Sequence, residues 1–469
     1  MTPRTCLVVF GASGDLARRK VLPALQAARA SGQVPGGVSV LGVGRSDLDD
    51  QRFAALLASD PLTTELAEDS SWVRLDYGDD AAYQRLGEQL QGSAQVVYYL
   101  ATPPEIFSVI VAGLAAADLN RRGDESRRVV VEKPLGRDLA SSRELNSALA
   151  RAFDETQIYR IDHYLAKDTV QNVLAFRFSN PLFESGWNRN LVQSVQVTAA
   201  EEEGIGTRAG YYDNAGAVRD MVQNHVLQLL ALVAMEPPTT FDARDIRKAK
   251  LELLRAVQPI DPQNAVRGQY RGYLEEPGVS PTSRRETFAA AALRVENWRW
   301  DGVPFFIRTG KALRHRSTQV VIRFRDSPAL RLEGVRQRPI PTLLQLRIQP
   351  HEGITLRIGA KRPGTRFEMV PAGLDLEYQG LAGAPLPDAY EHVLAEVLAG
   401  VHTVFPSGEE IDRSWEIVGD LISSWEAGGH PEPYSRGSWG PEGCQELVAR
   451  LGGARWLNPE DDLGDGGGA

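Results

Sequence analysis

Residues 5–17 read TCLVVFGASGDLA, and this stretch decides the fold of the first part of the chain. The apolar run at 5–10 predicts a buried strand, and the residues after the glycine turn have the apolar spacing of a helix. Strand, glycine turn and helix make up the first unit of a dinucleotide-binding fold. The glycines let the backbone approach a pyrophosphate, whose charge meets the helix N-terminus. Only Gly11 and Gly14 are present, short of the full GxGxxG pattern, so the turn alone leaves the ligand open.

A second predicted strand, residues 38–43, is followed by a Gly-Arg-Ser sequence. Folds of this kind that use NAD place an acidic residue near this point for the ribose 2′-hydroxyl, whereas an arginine accommodates the 2′-phosphate of NADP. Arg45 and the hydroxyl of Ser46 therefore favour NADP, and Asp47 lies close enough to keep some use of NAD open. The alternative is that Ser46 or Asp47 only caps a helix at 51–57, and both roles are compatible.

Lys133 lies in the sequence EKPLG, which closes another predicted strand at residues 129–131. A further strand is predicted at 95–100. Ligands of open α/β sheets bind at the carboxyl ends of the strands, so this lysine is a candidate ligand-binding residue. The alternative is that Lys-Pro forms a rigid turn and binds nothing.

A dense group of ionisable residues, RIDHYLAKD at 160–168, lies between a predicted strand and a helix predicted at 169–178. A helix that started here would put His163 and Lys167 on one face, because they are four residues apart. Two cations beside Tyr164 suit a phosphate or a carboxylate. The alternative is a solvated helix start with ordinary surface charges.

The pattern changes after residue 180. Alternating apolar and polar residues predict strands of an antiparallel or mixed sheet at 192–198, 318–324, 344–348 and 353–358. One long helix at 214–235 interrupts them, and His225 falls on its apolar stripe. A histidine there is commonly a packed core residue, but polar neighbours crowd the same turns, which a simple packing face does not need.

Composition sets the outer bounds. A chain of 469 residues predicts two domains, and 42% hydrophobic with 24% charged residues is typical of a globular protein. The net charge of −9 argues against nucleic acid as the main partner. Cys6 and Cys444 are the two cysteines, so neither a disulfide framework nor a metal site is expected. We see no apolar leader and no apolar run of ~20 residues, and we therefore expect no membrane partner and a cytoplasmic location.

The segment 160–168 resembles the RIDHYLGK signature of the glucose-6-phosphate dehydrogenase family, with Ala166 in place of its glycine and Asp168 where a glutamate often follows. The resemblance extends over nearly the full chain. Other matching motifs are GASGDLA at 11–17, EKPLG at 132–136, RDMVQNH at 219–225 and VPFFIRTGK at 303–311.

The family resemblance implies a fold and a reaction. It implies a Rossmann-like NADP-binding domain at 1–160 and an α+β domain with a large mixed, mainly antiparallel sheet at 161–457. We expect residues 458–469 to be a disordered acidic, glycine-rich tail. The reaction would be oxidation of glucose 6-phosphate at C1 to the phosphogluconolactone, with hydride transfer to NADP. Family members are commonly homodimers or homotetramers.

The resemblance also implies roles for residues. His225 would remove the proton of the anomeric hydroxyl, and Asp162 would orient it. The phosphosugar would be bound by Lys133, His163, Tyr164, Lys167, Glu201, Asp220, Lys311, Arg316 and Gln349. The alternative for the last three is a charged strand-and-loop surface. The cofactor would be bound by Gly11, Ser13, Gly14, Asp15, Leu16, Lys20, Arg45, Ser46 and Lys133.

Two other functions compete with this reading. One is a dehydrogenase of the same family for another hexose 6-phosphate, which the compatible residues at every substrate position disfavour. The other is a catalytically silent NADP-binding regulatory protein. Such a protein should have lost His225, Asp162 or Lys167, and all three are present.

Overall fold

The computed structural model describes residues 4–34, 37–328, 331–332, 335–336, 340–365, 368–382, 388–453, 455–459 and 461. The predicted tail at 458–469 lies outside these residues except for 458, 459 and 461. The chain forms two compact units, and neither is contiguous. The first contains residues 1–167, 238–249 and 387–412, and the second contains 168–237, 250–386 and 413–469. The division predicted at residue 160 stays a prediction.

The strands follow one another along the whole chain. In order they are β1 Arg4–Phe10, β2 Val38–Gly44, β3 Ser70–Arg74, β4 Ser93–Leu100, β5 Arg127–Val131, β6 Ile158–Arg160, β7 Val192–Ala200, β8 Ala265–Tyr270, β9 Phe288–Leu293, β10 Phe305–Gly310, β11 Ser317–Phe324, β12 Arg331–Leu332, β13 Val335–Arg336, β14 Leu343–Gln349, β15 Gly353–Lys361, β16 Met369–Glu377 and β17 Glu432–Tyr434.

The α-helices are α1 Leu22–Ala30, α2 Asp50–Ala58, α3 Asp80–Gln89, α4 Phe107–Ala116, α5 Leu139–Ala152, α6 Asp168–Phe178, α7 Pro181–Glu184, α8 Ala209–Ala217, α9 Leu227–Ala234, α10 Ala243–Ala256, α11 Gln379–Ala382, α12 Ala389–Ala399, α13 Gly408–Ala427 and α14 Gly443–Arg450. In the part of the chain that the structure describes, two segments are wound as π-helix, Ala17–Val21 before α1 and Val218–Val226 before α9. Within the described ranges, no helix is both long enough and apolar enough to cross a bilayer.

The first unit is built on a six-stranded parallel sheet with the strand order β3-β2-β1-β4-β5-β6. This is the order of a doubly wound dinucleotide-binding sheet, so the predicted Rossmann-like fold is confirmed. The central strands β1 and β4 each contain a continuous apolar run, at 6–10 and 96–100, because a parallel sheet is covered on both faces. In β1 the residues Leu7, Val8, Val9 and Phe10 are fully buried.

The ends of these parallel strands are aligned by their register. Phe10 of β1 pairs with Val43 of β2 and with Leu100 of β4. Leu100 in turn pairs with Val131 of β5, which pairs with Arg160 of β6. The segments that follow these five residues therefore leave the sheet along one carboxyl edge, which is where open α/β sheets bind ligands.

The second unit is built on a nine-stranded sheet with the order β16-β15-β14-β11-β7-β10-β9-β8-β17. Strands β7 and β10 are parallel, as are β8 and β17, and the other neighbours are antiparallel. The predicted mixed, mainly antiparallel sheet is confirmed.

The helices predicted at 51–57 and 169–178 are present as α2 and α6, but one alternative and one conditional expectation about their starts are wrong. The N-cap of α2 is Asp49, whose carboxylate accepts from the amide of Arg52 at 2.8 Å, so neither Ser46 nor Asp47 caps this helix. Residues 163–166 form a turn, and α6 begins only at Asp168. The reason is local, because a carboxylate oxygen of Asp162 accepts from the amide of Tyr164 at 2.9 Å and closes an Asx-type turn in place of a helix.

Candidate active site

The glycine turn after β1 is shaped to admit an anion. Gly11 has φ +80°, and a Cβ placed on it would lie 2.9 Å from the carbonyl oxygen of Ala101, so only glycine fits there. The amide of Gly14 bonds to the Gly11 carbonyl at 2.9 Å, and the Gly14 carbonyl accepts from the amide of Arg18 at 3.1 Å, which starts the helix. The turn therefore brings bare backbone and a helix N-terminus together, which fits a pyrophosphate. Asp15, Leu16 and Lys20 lie along this first helical stretch, and Asp15 and Lys20 are exposed.

The end of β2 is joined to this turn through side chains. The hydroxyls of Ser13 and Ser46 lie 3.0 Å apart and share a hydrogen bond. Arg45 is exposed beside them. Asp47 forms an ion pair with Arg74 at 2.8 Å, with both side chains exposed. The carboxylate that could bind a ribose 2′-hydroxyl is therefore engaged by an arginine.

Lys133 follows β5 on the same carboxyl edge, and its neighbour Glu132 is fixed in the core. The buried Glu132 carboxylate accepts from the hydroxyl of Tyr99 at 2.6 Å and from the hydroxyl of Tyr390. Burial raises the pKa of Glu132, and these hydrogen bonds oppose that change. Lys133 itself is half-buried, so its backbone is anchored while its side chain has access to the edge.

The turn after β6 groups the predicted phosphate ligands around one aromatic ring. The Lys167 ammonium lies 4.7 Å from the centre of the Tyr164 ring, and the His163 ring meets the same ring edge-on at 5.1 Å. Asp162 is buried, whereas His163 and Lys167 are half-buried. The three residues predicted to bind the phosphate are thus brought together by a turn and not by one face of a helix.

In the second unit, the parallel pair β7 and β10 brings two charged residues together. Ala200 pairs with Gly310, so Glu201 and Lys311 leave the sheet side by side. The Lys311 ammonium forms a close ion pair with the Glu201 carboxylate and lies 4.0 Å from the carboxylate of Asp220. One ammonium between two carboxylates is a suitable arrangement for binding several sugar hydroxyls.

Two tyrosines that no sequence motif identifies complete this group. The Lys311 ammonium lies 5.3 Å from the centre of the Tyr212 ring. The hydroxyl of Tyr211 bonds to Asp220, and burial followed by the Asp220 charge raises the pKa of Tyr211 to about 12. A Tyr-Tyr pair near a helix is visible in the sequence, but no spacing rule links it to Asp220, because the helix is broken at Gly216 between them.

Asp220 and His225 both lie on the π-helical segment, and both are buried, with 2% and 1% of their surface exposed. A π-helix bonds residue i to residue i+5, so residues five apart lie more nearly above one another than in an α-helix. The winding therefore turns these two side chains toward a similar direction. The helix predicted at 214–235 is observed as helical backbone from Ala209 to Ala234 that is interrupted at Gly216 and has this different winding in its centre.

Arg316 and Gln349 belong to the same edge of the nine-stranded sheet. Ser317, directly after Arg316, pairs with Ala200, and Thr318 pairs with Gln349. Arg316 is exposed, and the side-chain amide of Gln349 donates to the Thr318 hydroxyl at 3.0 Å. The second unit therefore gathers Glu201, Asp220 and Lys311 in direct contact, with these two residues on neighbouring strands.

Comparison with known proteins gives a consistent result over nearly the whole chain. Residues 8–172 match the family "Glucose-6-phosphate dehydrogenase, NAD binding domain", and residues 174–457 match "Glucose-6-phosphate dehydrogenase, C-terminal domain". The chain is 40% identical to glucose-6-phosphate 1-dehydrogenase 2 of Mycobacterium bovis, covering 97% of this chain and 94% of that protein. It is also 40% identical to glucose-6-phosphate 1-dehydrogenase of Dickeya dadantii, covering 96% of this chain and 98% of that protein.

Two solved structures agree with these matches. Glucose-6-phosphate 1-dehydrogenase from Mycobacterium avium superposes with a TM-score of 0.87 at 36% identity, covering 97% of this chain and 99% of the other. A glucose-6-phosphate dehydrogenase in complex with its substrate glucose-6-phosphate superposes with a TM-score of 0.88 at 34% identity and the same coverage.

Proposed function

This chain belongs to the glucose-6-phosphate dehydrogenase family and oxidises D-glucose 6-phosphate at C1 to 6-phospho-D-glucono-1,5-lactone, and we propose that its hydride acceptor is NADP and that the residues described above carry the reaction. This is the first step of the oxidative pentose phosphate pathway. When bound, the oxidised nicotinamide supplies the chemistry that the side chains lack, because its C4 accepts the hydride.

His225 is the proposed general base. It takes the proton of the anomeric hydroxyl as C1 is oxidised, a task that suits a neutral imidazole near physiological pH. Asp162 is the proposed carboxylate that assists the base, as in other pairs of an imidazole and an orienting acid. The burial of His225 supports this role, because its position is then fixed by packing.

The sugar is held by two chemically different sets of residues. We assign the ring hydroxyls to Glu201, Asp220 and Lys311, since carboxylates accept from hydroxyls and an ammonium donates to them. We assign the 6-phosphate to His163, Tyr164 and Lys167, with Arg316 as a further cation, because a dianion needs several charged donors. Lys133 is assigned to both cofactor and sugar, and Gln349 to the sugar.

The preference for NADP rests on one observation at the end of β2. Asp47 is paired with Arg74, and Arg45 is exposed beside the linked hydroxyls of Ser13 and Ser46. A 2′-phosphate carries roughly −1.5 to −2 charges near neutral pH, by analogy with other phosphomonoesters. An arginine beside a carboxylate that is already neutralised favours binding of the 2′-phosphate over binding of a ribose 2′-hydroxyl.

Replacement of Arg45 tests this preference. Arg45→Ala should raise the KM for NADP by about 10- to 100-fold, which corresponds to a lost charge-assisted hydrogen bond, and should change the KM for NAD little. Steady-state kinetics with both cofactors at saturating glucose 6-phosphate measures the difference. Equal losses with NADP and NAD would show that Arg45 supports the fold instead of the phosphate.

We further propose that the protein works in the cytoplasm as a homodimer or homotetramer, as is common in this family. Light scattering of the native protein measures the assembly directly.

For substrate range, a panel of hexose 6-phosphates compares glucose 6-phosphate with its epimers at C2 and C4.

A further inference from the structure

The helix that carries Asp220 and His225 starts at a break in the backbone. Gly216 interrupts the helical stretch with φ 73° and ψ 175°, and the π-helical segment begins two residues later at Val218. A helix that starts here has backbone N–H groups without partners inside the helix. Because this start is buried, those groups need other acceptors.

Glu286, just before β9, supplies acceptors for two of these N–H groups. Its backbone carbonyl accepts from the amide of Ala217 at 3.1 Å, and its carboxylate accepts from the amide of Val218 at 3.3 Å. Only 2% of Glu286 is exposed. A Cβ on Gly216 would lie 2.2 Å from the same carboxylate oxygen, so the break and the glutamate are built to fit each other.

Arg285 holds the other side of the break. Its guanidinium donates to the carbonyl of Asp213 in α8 at 2.9 Å and lies 3.5 Å from Glu426. Glu426 also pairs with Arg219, on the π-helical segment itself, at 2.8 Å. Arg285 and Glu286 therefore bind the helical backbone before and after Gly216. The carboxylate of Glu426, which Arg285 shares with Arg219, connects Arg285 to the π-helical segment.

We propose that Glu286, supported by Arg285, is a positioning residue for the active site, which sets the start and therefore the winding of the segment that carries Asp220 and His225. The proposal rests on the roles assigned to those two residues above. Neither Glu286 nor Arg285 is proposed to touch substrate or cofactor.

The physical reason is that a change in the winding of a helix at its first turn rotates and shifts the residues that follow. If the first N–H groups of the π-segment find different acceptors, Asp220 and His225 rotate and shift together. A misplacement of about 1 Å can cost roughly 100-fold in rate. Removal of the Glu286 carboxylate should therefore lower kcat/KM for glucose 6-phosphate by more than the accompanying loss of folding stability alone would explain.

The test compares Glu286→Ala with Glu286→Gln. The alanine variant loses the acceptor for Val218, and we expect a loss of about 10- to 100-fold in kcat/KM for glucose 6-phosphate at an unchanged affinity for NADP. Glutamine keeps an acceptor oxygen at this place, so Glu286→Gln should lie within about 3-fold of the wild type, because a neutral oxygen is enough to hold one amide.

A control separates positioning from a general loss of stability. Asp79 caps α3, where its carboxylate accepts from the amide of Ala81 at 3.1 Å, and α3 carries none of the proposed site residues. Asp79→Ala should lower the melting temperature and leave kcat unchanged. Hydrogen exchange followed by mass spectrometry gives a second measure, since Glu286→Ala should speed exchange at residues 217–226 and leave α3 as in the wild type.

The outcomes decide between the alternatives. Wild-type kcat/KM in a folded Glu286→Ala protein, or an equal loss in the glutamine variant, would overturn the proposal. If Glu286→Ala does not fold, Arg285→Ala decides, because it removes the contacts of Arg285 with Asp213 and Glu426 and leaves both acceptor groups of Glu286 in place; a fall in kcat supports the proposal and an unchanged kcat overturns it. If the wild type itself does not oxidise glucose 6-phosphate, the proposed function fails, and the exchange experiment still tests whether Glu286 sets the winding.

Discussion

His225 combines full burial with a place on a π-wound segment, so its environment offers it one orientation. We predict that His225→Asn folds and binds both ligands but turns over about 10²- to 10⁴-fold more slowly, which is the usual contribution of a general base. The KM for the sugar should change little, because proton removal belongs to the transition state. Steady-state kinetics beside the exposed-histidine variant His430→Asn measures this, and wild-type turnover would exclude His225 as the base.

Lys167 offers a second test on a single side chain. Its ammonium lies over the Tyr164 ring with His163 at the edge of that ring, and we assign this group to the 6-phosphate. Lys167→Ala should weaken apparent affinity for glucose 6-phosphate by about 10- to 100-fold, the effect of a lost charge-assisted hydrogen bond. Turnover should fall too, because phosphate binding helps to position C1.

Free glucose is the internal control for this variant. It lacks the phosphate, so its slower oxidation should be nearly the same in the wild type and in Lys167→Ala. If both substrates lose the same factor, Lys167 serves the chemistry or the fold, and the phosphate-binding residues have to be sought elsewhere.

At the scale of elements, the parallel pair β7 and β10 creates a charge group that neither strand has alone. Lys311 contacts Glu201 and lies 4.0 Å from Asp220, so replacing it leaves two neighbouring carboxylates without their cation. We predict that Lys311→Met is more damaging than Glu201→Gln in kcat/KM for glucose 6-phosphate. The double variant should lose less than the product of the two single losses, because residues in one ion-pair network do not act additively. Fully additive losses would show that the two side chains act independently.

At the scale of the whole first unit, His402 joins stretches that are far apart in sequence. Its Nε2 lies 2.8 Å from the carbonyl of Thr156 and its Nδ1 lies 3.1 Å from the guanidinium of Arg247. Its ring also stacks on Tyr159, with centroids 3.9 Å apart. Burial, followed by the charge of Arg247, lowers the pKa of His402 to about 4.

This depressed pKa predicts how stability depends on pH. The folded protein keeps His402 neutral, whereas the unfolded chain takes up a proton near its ordinary pKa of about 6.5. The contribution to the free energy of unfolding is therefore complete above pH 6.5 and is lost progressively as the pH falls toward 4. Denaturant unfolding between pH 7.5 and 4.5 should show a shallower loss of stability in His402→Gln than in the wild type. The exposed-histidine control His430→Gln should keep the wild-type slope, and the same slope in all three proteins would contradict the assignment.

The sequence by itself determined the elements whose signals are local. The run of apolar residues before GASGDLA, the Gly-Arg-Ser sequence after residue 43 and the Lys-Pro turn at 133 each identify a strand end by chemistry that lies within a few residues. The alternating runs after residue 180 likewise predict the strands of the second sheet. Such patterns are readable because the period of a strand or helix repeats along the chain itself.

Only the tertiary structure decided which distant residues meet. The pairing of Glu201 with Lys311 depends on a parallel register between strands more than a hundred residues apart, and the inclusion of 238–249 and 387–412 in the first unit depends on packing. The same holds for Glu286 at Gly216, where a residue 70 positions later supplies the partner for a helix start. Sequence periodicity carries no record of these contacts, because they are fixed by how whole elements fit together and by the need to satisfy buried backbone groups.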